Sequence, residues 1–243
     1  GEGAGGSRGL PSALAVSRAA GADCRSGAAV PPTATSAEAW MCSPAAAPVL
    51  SAGGGMTTAH KAFLAEYYWR ASSVFEFGVG ESSTLLAAAA GVRRFTGVES
   101  DAAWIARLGA RVPSHFRLVW ADIGQTGDFG YPQDAASGVK WPFYSIGALA
   151  AERDPFSLYL IDGRFRIACA LAALLHGGYG ALVMVHDFSV TEGVQDRLYG
   201  VVLDAVAERV DGCGTEFVVL RRRTGVTDEE IRRLWDKWKY DTM

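Results

Sequence analysis

Between Val74 and Thr84 the chain reads Val-Phe-Glu-Phe-Gly-Val-Gly-Glu-Ser-Ser-Thr, an apolar run that breaks at two glycines and then enters the alanine-rich stretch Leu85 to Ala90. This pattern reads as a buried strand turning sharply into a helix. Gly78 and Gly80 stand where a Cβ would stop the backbone approaching a ligand, so the turn predicts a site for a nucleoside-bearing cofactor.

The rest of the chain repeats the same alternation. Thr57 or Thr58 caps a predicted helix whose apolar positions Phe63, Leu64, Tyr67 and Tyr68 recur at three-to-four spacing up to Trp69. Strands are predicted at Val74 to Phe77, Phe95 to Val98, Phe116 to Val119, Ser157 to Ile161 and Gly180 to His186. Helices fall between them at Ser82 to Ala90, Asp101 to Ala110 and Arg164 to His176. Strands separated by helices need crossover connections, hence an α/β fold with a mostly parallel sheet and helices on both faces. Ile123 to Ser145 interrupts the alternation as a long irregular stretch. Near the end, Leu203 to Val210 and Glu216 to Arg222 flank Asp-Gly-Cys-Gly and suit an antiparallel hairpin, although the first arm also suits a helix extension. Thr227 with Glu230 forms a capping box for a last amphipathic helix reaching about Tyr240.

Composition divides the 243 residues in two. Residues 1–55 are dominated by Ala, Gly, Ser and Pro and hold no sustained apolar period, so they read as a flexible extension, a linker or the remains of an organelle-targeting region. Within them, Trp40, Met41, Val49 and Leu50 are placed to dock on the domain that follows. Residues 56–243 read as one domain. The chain starts at Gly1 rather than at a methionine, which leaves a sorting signal upstream open. No stretch has the roughly 18 consecutive apolar residues of a membrane span, so the chain reads as soluble, in an organelle or the cytoplasm. A net charge of −3 gives no overall pull toward nucleic acid. Cys24, Cys42, Cys169 and Cys213 are scattered and lack zinc-finger spacing, so neither a structural metal site nor a dense disulfide framework is expected.

Acidic residues close four successive predicted strands. Glu99 follows the second strand, where a carboxylate can accept from both hydroxyls of a ribose, and Asp122 follows the third, where one can accept from an adenine amino group. Asp162 and Asp187 follow the fourth and fifth. Capping the next helix is the bland role for any one of them.

Taken together, Glu76-Phe-Gly78-Val-Gly80-Glu-Ser82, Gly-Val-Glu99, Ala-Asp122 and Leu-Ile-Asp162-Gly163 resemble the Rossmann-like, class I methyltransferases that use S-adenosylmethionine. The resemblance spans roughly residues 57–222 and implies a three-layer fold with a seven-stranded sheet whose last strand is antiparallel. It implies that Gly78 and Gly80 line the methionine part of the cofactor, that Glu76 orders the turn and the amino group, that Glu99 holds the ribose, that Asp122 lies by the adenine, and that Ser82 belongs to the cofactor-binding set. Ser82 stands where many members have a third glycine. A dinucleotide-binding oxidoreductase is the rival, but there Glu81 would set a negative charge against a diphosphate, whereas a sulfonium and an amino acid tolerate it.

For chemistry, Asp162, His186 and Asp187 are the candidates, first as general base or substrate-orienting groups. Structural capping ranks second. Metal coordination ranks third: metal-dependent catechol-type O-methyltransferases are similar in placing an aspartate after the fourth strand and an Asp-Asn pair after the fifth, but Phe188 replaces the amide. A divalent metal is therefore not favoured. Substrate choice is expected from the irregular stretch, with Phe129, Tyr131, Trp141, Phe143 and Tyr144 as a lid or as surface plugs, and from Arg164 and Arg166, which suit a carboxylate or phosphate on the acceptor. The expected function is O-methylation of a small molecule or glycan. The alternative is a non-catalytic scaffold subunit whose N-terminal extension engages a protein partner.

Overall fold

The computed structural model describes residues 36–51, 55–188, 195–214 and 216–242. The extension expected to engage a partner lies mainly outside them. Two short helices, α1 (Ala37–Met41) and α2 (Ala47–Ser51), precede α3 (Thr58–Tyr68). There follow β1 (Ser73–Phe77), α4 (Glu81–Ala89), β2 (Arg94–Glu99), α5 (Ala102–Gly109) and β3 (Arg117–Trp120). After the irregular stretch and the short α6 (Ala148–Ala150) come β4 (Leu158–Ile161), α7 (Arg166–Gly177), β5 (Leu182–Val185), α8 (Gln195–Val206), β6 (Ala207–Cys213), β7 (Phe217–Arg222) and α9 (Asp228–Trp238).

The seven strands form one sheet in the order β3-β2-β1-β4-β5-β7-β6. All neighbours from β3 to β5 are parallel, and β7 runs antiparallel to both β5 and β6. Both faces are covered, so the central strands bury side chains on both sides and parity decides which layer each enters. Phe75, Phe77, Tyr159, Ile161, Val183 and Val185 face the core shared with α7, α8 and α9. Val74, Leu158, Leu160, Met184 and Val219 face the core shared with α1 to α4. Glu76 has the parity of Val74, and His186 that of Met184. Both side chains therefore enter the α3 and α4 layer.

The strand order reverses between β1 and β4, which are adjacent although the chain visits β2 and β3 in between. Crevices at such points, beyond the carboxyl ends of the strands, are where open α/β sheets bind ligands. Trp40 and Val49 are buried, and the rings of Trp40 and Trp69 lie 5.4 Å apart, so residues 36–51 dock on α3. The chain passes from α8 into β6 without a loop. Of the two readings of Leu203 to Val210, the helix holds through Val206 and the hairpin arm starts at Ala207. Asp-Phe-Gly, Ala135–Lys140 and Phe143–Gly147 give the irregular stretch local helical turns. No helix among the described residues is long and apolar enough to cross a membrane. Cys169 and Cys213 are free, and Cys42 is disulfide-bonded.

Candidate functional site

At the reversal point, the bend after β1 lies directly against the bend after β4. Gly78 has φ +81°, and a Cβ there would fall 2.3 Å from the Gly163 Cα and 2.9 Å from the Asp162 carbonyl carbon. The sequence suggested that this glycine makes room for a ligand; what it makes room for is the neighbouring backbone. Gly80 has ordinary φ, and its added Cβ would meet only the Ser83 hydroxyl, at 3.0 Å.

A cleft of about 380 Å³ opens beside these bends, lined by Gly55, Met56, Gly80, Glu81, Ser82, Ser83, Trp104 and Asp162. It is large enough for a small-molecule ligand. The first turn of α4 supplies one wall, and helix N-termini offer N–H groups with no intrahelical acceptor. Trp104 supplies another, its indole N–H donating to the Val79 carbonyl at 2.7 Å. Of the predicted cofactor residues, Gly80 and Ser82 line the cleft, together with the predicted catalytic Asp162. Glu81, the residue invoked against a diphosphate, also lines it, with its charge shared by Arg111 at 2.6 Å.

Glu76 sits behind this bend with no exposed surface. Its Oε1 accepts from the Gly80 N–H at 3.0 Å and the Ser83 hydroxyl at 2.5 Å, while Oε2 has no partner. Burial pushes its pKa up to about 8 against those two hydrogen bonds, helped by the charges of Asp162 and Glu99. Tyr68 of α3 likewise buries an unpartnered hydroxyl within the field of Glu76 and Asp162. The Glu76 Oε2 thus stands as a buried acceptor with no donor among the described residues.

Glu99 turns back on its own chain: Oε1 accepts from the backbone N–H of Ser100 at 2.5 Å and of Asp101 at 3.2 Å. Burial nevertheless raises its pKa. Asp122 is placed differently. Its two oxygens accept from Lys140 Nζ at 2.7 Å and the Gly124 N–H at 2.9 Å, and these hydrogen bonds lower its pKa. It does not line the cleft.

The catalytic candidates do converge. His186 Nδ1 lies 2.8 Å from Asp162 Oδ1 and 3.3 Å from Asp187 Oδ1. Its Nε2 lies 3.1 Å from His60 Nδ1, and His60 Nε2 lies 3.4 Å from Glu216 Oε2 at the half-exposed end of the row. Burial lowers the His186 pKa, but the hydrogen bond and charge of Asp162, with Asp187, outweigh it and the net shift is upward. Burial and the charge of His186 lower that of His60. Opposite shifts make His186 the more basic of the two, and when protonated it would donate from Nδ1 to Asp162 and from Nε2 to His60.

Ligand atoms of Asp162, His186 and Asp187 all lie within 4.8 Å of one another. Arg166 already supplies positive charge there, donating from Nη2 to Asp187 at 3.0 Å and from Nε to the Gly163 carbonyl at 3.1 Å. Phe188, where the amide ligand would be, is buried against Tyr199. The donor set thus fits a hydrogen-bonded ion pair better than a divalent cation.

Sequence reasoning passed over His60, Glu216, Trp104 and Ser83 as site residues. Ser83 had a local signal, seven residues after Glu76 across a glycine bend. His60 and Glu216 had none, because only the packing of α3 against the β5 and β7 ends brings them together.

Among solved structures, a methyltransferase-like protein from Silicibacter pomeroyi DSS-3 superposes with a TM-score of 0.64 at 27% identity, covering 79% of this chain and 98% of that one. This is a class I methyltransferase fold. A precorrin-6Y C5,15-methyltransferase from Geobacter metallireducens GS-15 also matches, with a TM-score of 0.39 at 11% identity, covering 70% of this chain and 90% of that one. No protein-family profile and no curated protein matches the chain.

Proposed function

We propose that the chain is an S-adenosylmethionine-dependent methyltransferase that methylates a hydroxyl on a small molecule or glycan. One observation carries this reading: Asp162 both lines the cleft and is hydrogen-bonded to a buried histidine, so the cleft has a proton acceptor built into its floor. The cofactor, when bound, supplies an electrophilic methyl group. Glu76 Oε2 would take its ammonium group, the first turn of α4 its carboxylate, Glu99 its ribose and Trp104 the face of its adenine. Asp122 stays committed to Lys140 and Gly124 in this reading.

The protein's own contribution is alignment and proton removal. Asp162 would accept a hydrogen bond from the acceptor hydroxyl. The Asp162–His186 pair would take the proton as the hydroxyl oxygen acquires its methyl group, with Asp187 and Arg166 holding the imidazole in place. Because the His186 pKa lies above 6.5, the competent, deprotonated fraction grows as pH rises through that shifted value. Calorimetric titration with S-adenosylhomocysteine tests the cofactor reading first. Saturable one-to-one binding is expected, and folded protein that shows no heat of binding would refute it.

A further inference from the structure

Arg164 is buried to 9% exposure, two residues beyond Asp162. Its Nε has no hydrogen-bond partner, and among the described residues its guanidinium makes no hydrogen bond or ion pair. What it does touch is the ring of Tyr131, whose centroid lies 4.2 Å from Cζ. That contact satisfies the flat face of the guanidinium and leaves the buried Nε–H without an acceptor. A guanidinium cannot shed its charge to escape burial, so a buried, unpaired Nε–H with the Nη groups free beside it suits an anion.

The neighbour makes the contrast plain, for Arg166 has Nη2 engaged by Asp187 and Nε by the Gly163 carbonyl. The Tyr199 hydroxyl is buried, its polar neighbour is Arg166, and it also feels the charge of Arg164. Arg164 also belongs to the same rim of the sheet as the cleft. A Cβ on Gly130 would lie 3.5 Å from Ser100 Oγ and 3.8 Å from Arg164 Cγ, so the Phe129 to Tyr131 turn spans from the end of β2 to the loop after β4. Phe129 in that turn holds φ +55° with its ring 89% exposed, and Tyr131 is 42% exposed. Strained backbone that presents rings to solvent beside an unpaired cation is a recognition surface more than a core plug.

We propose that Arg164 is the anion-binding residue of the acceptor subsite, pairing edge-on with a carboxylate or phosphate monoester of the molecule to be methylated, with Tyr131 covering its face. The word acceptor rests on the methyltransferase reading; the anion site does not.

The full chain should be titrated calorimetrically with inorganic phosphate and, separately, with benzoate, at constant ionic strength. Saturable binding of one of them is expected, phosphate pointing to a phosphate monoester and benzoate to an aryl carboxylate. Arg164→Gln should weaken it by at least about tenfold and Tyr131→Ala by a few-fold, with S-adenosylhomocysteine binding unchanged in both. If Arg164→Gln does not fold, Arg164→Lys keeps the charge and loses the planar fork, and should weaken benzoate more than phosphate. No saturable binding of either anion, or equal binding by the arginine variants, overturns the proposal. Anion binding without S-adenosylhomocysteine binding would instead overturn the methyltransferase reading and leave the anion site standing.

Discussion

Glu76 on β1 and Asp122 after β3 are both acids at the carboxyl edge of one sheet, two strands apart, and their surroundings are opposite. Glu76 is sealed, holds an unpartnered oxygen and has its pKa pushed up to about 8. Asp122 is in contact with solvent, has both oxygens occupied by Lys140 and Gly124, and has its pKa lowered. Position at a strand end therefore does not make a carboxylate a ligand. In the proposed function, what would make one is a low-dielectric seat behind the cleft and an oxygen with nothing to accept from. The difference follows from the sheet order, because β1 lies at the reversal point under α3 and α4 while β3 is the edge strand.

The largest effect that tests this contrast lies in the backbone behind Glu76. Gly78→Ala would drive a Cβ into Gly163 in a left-handed conformation, and a loss of roughly 3 kcal/mol in urea-monitored stability is expected. A loss under ~1 kcal/mol would mean the two bends are not held as described. Next comes Glu76→Gln. Ionised Glu76 is the form an ammonium group binds, so wild-type affinity for S-adenosylhomocysteine should tighten as pH rises toward 8, by up to about tenfold per unit. The variant should bind about tenfold more weakly at pH 8 and lose that slope. The sign of the stability effect is opposite. An unfolded Glu76 ionises near 4.5 and the folded one near 8, so the folded state holds the extra proton between them and the ligand-free protein loses stability as pH rises across that window. Glu76→Gln should flatten the decline. The smallest effect belongs to Asp122→Ala, for which S-adenosylhomocysteine affinity within about twofold of wild type is expected, since an exposed ion pair contributes little. A tenfold loss there would place Asp122 back at the adenine.

Most of the scaffold could be read before any coordinates. β4 and β5 are apolar at consecutive positions in runs too short for a helix, and β1 and β2 carry β-branched and aromatic residues up to a Gly or Ser, as strands buried on both faces do. The α8 to β6 junction was ambiguous because Val206 and Ala207 suit a helix end as well as a strand start, and no Gly or Pro marks the change. The site was legible where it is local: Glu76, Gly78, Gly80, Ser82 and Asp162 lie on two bends that the strand pattern exposes. It was illegible where it depends on packing. His60 sits in a helix chosen for its apolar stripe, and Lys140 reaches Asp122 only because the irregular stretch folds back. The aromatic residues of that stretch, for which lid and plug were equal readings, divide between the two: Tyr144 is buried, whereas Phe129 and Tyr131 face solvent.

The touching glycines have a mechanical consequence. With no side chain between Gly78 and Gly163, one loop has no slack against the other. Any rearrangement that follows filling of one half of the crevice must displace the floor of the other half, so occupancy on either side is felt across a single backbone thickness.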